Sequence, residues 1–154
     1  MRRLAPAVLA MLLPTASLGA TPVTHFAPGG PAGAGVPPVA NGAPYSAAVM
    51  AGDTLYIAGT TDTDPATGKS PTDPKEGARR VLDNIKRTVE RAGLTMNDLV
   101  WIQVFTSDLS YYPAFNEVYR TYFTGPMPAR AFIGAGSLLG GSHFEVMGIA
   151  VRQK

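Results

Sequence analysis

Apolar residues recur three and four apart from Ala78 through Val81, Leu82, Ile85 and Val89 to Ala92, a spacing that puts them on one stripe of a helix. The ends of that helix are marked. Asp73 stands as N-cap, Pro74 takes the first helical position, Glu76 is placed to close a capping box, and Gly93 follows the last turn, the signals expected at a helix start and stop. Arg79, Lys86 and Glu90 then face water. Before the helix, YSAAVM and TLYIAG flank Gly52 and Asp53, which predicts a β-hairpin, and the proline-punctuated TDTDPATGKSPTDP reads as a loop. Residues 99–106 form a short, almost continuously apolar run, as in a central strand covered on both faces. A second helix is predicted from about Tyr111 to Phe123, with Pro113 in its first turn, Gly125 after its end, and Phe115, Tyr119, Tyr122 and Phe123 inward. PMPARAFIGAG and HFEVMGIAVR read as two last strands joined at Gly140 and Gly141. The order β-β-α-β-α-β-β predicts an α/β fold, a two-layer sandwich with both helices on one face of a mixed sheet.

The pattern changes character toward the N-terminus. Arg2 and Arg3 precede an apolar stretch over residues 4–13, followed by Pro14 and small residues up to Ala20, the layout of a cleaved secretory signal peptide. The stretch is too short to cross a bilayer, which takes about 20 residues. Residues 21–44 are mostly Pro, Gly, Ala and Val and read as a flexible leader. The expected organisation is therefore a signal peptide over 1–20, the leader over 21–44 and one folded domain over 45–154, periplasmic or secreted. The formal charge of +2 rests on 13 basic against 11 acidic residues, so loss of Arg2 and Arg3 leaves zero. That balance argues against nucleic acid as a partner. With no cysteine and two histidines, neither a disulfide, a thiolate nucleophile nor a histidine-built metal site is expected.

Three residues stand out for chemistry: Arg130 in an otherwise apolar strand start, Glu145 between Phe144 and Val146, and Tyr45. A buried charge needs a partner or a ligand, so Arg130 and Glu145, expected on neighbouring strands, either pair with each other or share a site. GAGSLLGG does not open a helix and is no phosphate loop. His143, beside a turn, is expected to be exposed, and His25 lies in the leader.

From Pro44 to Arg152, the PYS opening, the IAG strand end, DPATGK, VLDNIKRTVERAGL, VFTSDL, FNEVYRTYF, PARAFI and FEVMGIAVR, in this order and spacing, closely resemble the RidA or YjgF family, also called the L-PSP endoribonuclease group. The resemblance implies trimers around a central barrel with a ligand cleft at each subunit boundary, no cofactor, and hydrolysis of small enamines and imines to 2-oxo acids and ammonia. It assigns Arg130 to the substrate carboxylate, which a guanidinium can grip with two parallel hydrogen bonds, and Glu145 to the attacking water, whose proton it can take. Tyr45 and Asn116 correspond to cleft positions. Ala58, before Gly59, stands where active members often have serine, Thr60 where glutamine is frequent, and Phe132 where cysteine is frequent. These mark a divergent member. The alternative class is a non-catalytic small-carboxylate-binding or holdase-like protein; a ribonuclease comes third.

Overall fold

A computed structural model describes residues 19–29 and 43–153. Six strands form one sheet: β1 (Val23–Phe26), β2 (Ala48–Ala51), β3 (Thr54–Thr61), β4 (Leu99–Thr106), β5 (Ala129–Gly134) and β6 (Phe144–Val151). Two helices complete it, α1 (Pro74–Arg91) and α2 (Tyr112–Tyr119). The strands lie in the order β1-β2-β3-β6-β4-β5. All neighbours are antiparallel except β4 and β5, which run parallel, so the sheet is mixed, as expected.

The hairpin forms around Gly52, whose φ of +59° suits a residue without Cβ. Helix α1 begins where expected: the Asp73 side chain accepts a hydrogen bond from the Lys75 amide at 2.9 Å. The Glu76 carboxylate, however, pairs with Arg79 on the next turn and closes no capping box among the described residues, because the ion pair offers a stronger partner than the cap amide. The predicted stripe Ala78, Val81, Leu82, Ile85 and Val89 is completely buried, against Leu55, Ile57, Ile102, Val104 and Val146 in the same core. Helix α2 is shorter than expected and is continued on each side by a single 3₁₀ turn, Leu109–Tyr111 before it and Arg120–Tyr122 after it.

Two expectations need correction. The leader over 21–44 is not without structure: Val23–Phe26 adds an edge strand to β2, Phe26 is buried, and Arg91 reaches from the end of α1 to the Ala27 carbonyl at 2.9 Å. One buried aromatic anchored this segment despite its Pro/Gly/Ala surroundings. The signal-peptide reading and the middle of the leader fall on residues outside those described. The second correction concerns β4. It is central, but only Leu99, Ile102, Val104 and Thr106 are buried under the helices, while Val100 is exposed and Trp101, Gln103 and Phe105 are only partly covered. β6 alternates in the same way, with Phe144, Val146, Gly148 and Ala150 inward and Glu145, Met147, Ile149 and Val151 on the other face. The sheet thus has one face packed under helices and one apolar face left open within the single chain.

Candidate functional site

Arg130 sits on edge strand β5, paired with Ile102, and so points to the helix side. There it enters a collar of aromatic rings supplied by α2 and by its own strand. Its guanidinium carbon lies 4.6 Å from the ring centre of Tyr119, 5.7 Å from Tyr112, and 5.9 Å from both Phe115 and Phe132. The helical repeat explains the set: positions 112, 115, 116 and 119 share one face of α2. Cation–π attraction holds the charge in place but supplies no hydrogen-bond acceptor. Nη1 of Arg130 is buried without a hydrogen-bond partner, as is the hydroxyl of Tyr119, among the described residues. Burial pushes the Tyr119 phenol up to about 12, with Arg130 pulling the other way. The Tyr112 phenol is held below its ordinary range by hydrogen bonding to Asn116 and by the positive charge of Arg130. Asn116 is itself buried. This cluster is a cationic socket with amide and phenol groups at its side and no carboxylate among the described residues.

Glu145 lies on β6 opposite Thr61 of β3 and Phe105 of β4, which puts it on the open face. The β3–β6 register shifts between Ile57 and Thr60, so Ala58 and Gly59 occupy a bulge beside it. The Glu145 side chain lies directly on Gly59, where any Cβ would collide with Oε1. Gly59 is therefore glycine for space: it seats the carboxylate. The Ala58 amide bonds the Ala47 carbonyl at 3.0 Å, and Tyr45, 57% exposed, stands two residues further along that segment.

Of the seven residues in the proposed site, Arg130, Phe132 and Asn116 gather between β5 and α2, Glu145, Gly59 and Ala58 gather around the β3 bulge and β6, and Tyr45 stands exposed before β2. The expected pairing of Arg130 with Glu145 is not made. Their strands flank β4 on opposite sides, and Arg130 aligns through Ile102 with Gly148, three residues from Glu145. That separates the two backbones by roughly 10 Å across the sheet and roughly 10 Å along it, with the side chains on opposite faces.

A third cluster escaped the sequence reading. Asp62, just past β3, is completely buried. Its carboxylate accepts from the His143 amide at 3.0 Å, the Phe144 amide at 3.5 Å and the Ser70 hydroxyl at 3.2 Å, and lies 2.8 Å from Nδ1 of His143. His143 is consequently not an exposed turn residue; its side chain is only 14% exposed and meets the Tyr111 ring edge-on at 5.2 Å. A Cβ at Gly77 would lie 2.5 Å from Asp62 Oδ2, so the first turn of α1 closes over the pair. Asp62 ties the loop after β3 to the start of β6. Among the described residues no group of His, Cys, Asp and Glu could hold a metal ion.

Comparison with known proteins adds a lineage to this geometry. The profile of the endoribonuclease L-PSP family matches residues 37–152. The chain belongs to this family. Among L-PSP family relatives, the 2-iminobutanoate/2-iminopropanoate deaminase of Mus musculus is 38% identical over 110 residues, 71% of this chain and 82% of its own length. That of Escherichia coli K12 is 36% identical over 113 residues, 71% of this chain and 88% of its own. The solved structure of the E. coli YjgF gene product superposes with a TM-score of 0.68 at 36% identity, covering 75% of this chain and 93% of the other. E. coli TdcF with bound serine gives 0.68 at 32% identity, covering 72% and 90%. The fold and the membership in the RidA/YjgF group agree with the sequence-based expectation, and several relatives are named 2-iminobutanoate/2-iminopropanoate deaminases.

Proposed function

We propose that this chain hydrolyses small 2-imino acids and their enamine tautomers, in clefts that each combine Arg130 of one subunit with Glu145 of another. The observation that carries the reading is the aromatic socket: a guanidinium with no ion-pair partner among the described residues is set to take a carboxylate. Relatives named for imine deamination, and one solved with serine, a small amino acid, fit that ligand class. Two half-sites on opposite faces cannot meet within one chain, and the open apolar face bearing Trp101, Phe105, Met147 and Ile149 offers a surface on which copies can associate. The trimer expected from the family resemblance supplies three equivalent clefts of this kind.

In the cleft Arg130 fixes the carboxylate, with Asn116 and Tyr45 as further hydrogen-bonding groups and Ala58 and Phe132 as apolar walls. Glu145, seated on Gly59, accepts a proton from water as its oxygen bonds to the imine carbon. The proton passes to nitrogen to give a carbinolamine; the carbinol hydroxyl then gives up its proton by way of Glu145 to the nitrogen, the carbonyl forms as the carbon–nitrogen bond breaks, and ammonia leaves behind a 2-oxo acid. No cofactor or metal takes part in this scheme.

Glu145→Gln keeps the shape but cannot accept the proton, so it should lower imine turnover at least ~100-fold while pyruvate still binds. The decisive experiment mixes it with an Arg130→Ala variant after dissociation and reassembly. In random mixed trimers roughly a quarter of the clefts receive both native residues, so roughly a quarter of wild-type activity should return. A mixture as inactive as its parents refutes the shared cleft, and native protein without turnover on any imine leaves only a carboxylate-binding protein.

Export is proposed as well. Cleavage after Ala20 would spare β1, which starts at Val23, and intact-mass measurement of periplasmic protein should find a start near Thr21. An unprocessed Met1 start would overturn it.

A further inference from the structure

The collar around Arg130 is closed on one side and open on the other. Phe115 is completely buried and Tyr119 nearly so, and together they wall off the inner side of the guanidinium. The outer side is made by Tyr112, 45% exposed, and Phe132, partly covered. These two rings meet edge-to-face at 5.0 Å and 85°, and each lies within 6 Å of the guanidinium carbon. Phe132 is further held edge-on by Phe115 at 5.5 Å, so its ring is fixed against the core and does not swing across the socket.

Tyr112 and Phe132, the less buried rings of the collar, line the side from which a carboxylate would approach Arg130. Whatever substituent it carries is then left against two rigid aromatic surfaces. A methyl group covers little of them and leaves them wet. A phenyl ring covers both and can adopt the offset or edge-on contacts that aromatic pairs prefer. Resting on the carboxylate-binding role proposed above, we infer that the socket selects 2-imino and 2-oxo acids bearing an aromatic side chain over those bearing a methyl, with Tyr112 and Phe132 as the specificity-determining residues. The apolar side chain stacks on the outer wall while Arg130 holds the charge, a division of labour that leaves Glu145 and the water step unchanged.

The test is titration calorimetry of the purified protein with pyruvate and with phenylpyruvate, followed by kcat/KM on the corresponding imines made in situ by an amino-acid oxidase. Native protein should bind phenylpyruvate at least tenfold more tightly, which corresponds to about 1.4 kcal/mol, and should show a preference of the same sense in kcat/KM. Tyr112→Ala, at an exposed position, and Phe132→Leu should each lower the ratio, and Arg130→Ala should lose both ligands. Equal affinity for the two acids, both dependent on Arg130, overturns the selectivity and leaves the carboxylate site standing. Tight phenylpyruvate binding that survives Arg130→Ala overturns it too, as adhesion to an apolar surface. If neither acid binds native protein, the carboxylate site itself falls and the selectivity with it.

Discussion

Arg130→Ala should lose measurable pyruvate binding and imine turnover while the protein keeps its fold. Each charge-assisted hydrogen bond to a carboxylate is worth about 1.5–3 kcal/mol, and a guanidinium can make two in parallel, so affinity should fall by more than ~100-fold. The fold is affected much less, for opposing reasons. The variant gives up cation–π contacts with four rings, worth about 0.5–2 kcal/mol. It also removes a buried Nη1 that has no hydrogen-bond partner among the described residues, relieving a cost of about 1–3 kcal/mol. Calorimetry beside a thermal melt separates the two effects. A variant that folds, melts within a few degrees of native and still binds pyruvate like native protein would show that the socket is structural.

Asp62→Ala should act in the opposite way, on the fold first. The carboxylate is completely buried and serves two backbone amides, a hydroxyl and an imidazole, and the substitution leaves all four without it. Removing one partner from a buried charged network costs about 3–5 kcal/mol, and in a domain of this size the melting temperature should drop by about 10–20 °C. Asp62→Asn should fall between the two, since its side-chain oxygen can still accept from the His143 amide. Scanning fluorimetry reads both. A change of less than about 3 °C in the alanine variant would mean that the loop after β3 and the start of β6 hold together without Asp62.

How much of this was legible in the sequence depended on whether the signal was local. Helix α1 carried its caps and its stripe on its own residues, and the hairpin its turn, so both were predicted nearly as they stand. Arg130 was legible because a cation in an apolar strand contradicts its surroundings. Its separation from Glu145 was not, because the face a strand residue takes depends on register against β4, a long-range property. Tyr112 carried no signal of its own in the sequence; only α2 packing onto β5 makes it part of the socket. Asp62 was hidden in a stretch of Thr, Asp, Pro and Gly that reads as solvated loop, and its burial is imposed by His143, 81 residues away. In β1, a single anchoring Phe26 could not outweigh the composition around it.

The division of the site between two faces of the sheet also bears on how such a protein can change over generations. The rings proposed to meet the ligand's side chain lie on α2 and β5, the carboxylate proposed to handle the water lies on β6, and the Glu145 side chain is seated on the backbone of β3, not on any collar residue. Drift at Phe132 or Tyr112 can therefore retune which acids are accepted without disturbing the water's seat. Gly59 allows no such freedom, since any side chain there displaces Glu145. Divergence within this lineage should accumulate on the collar and spare the bulge.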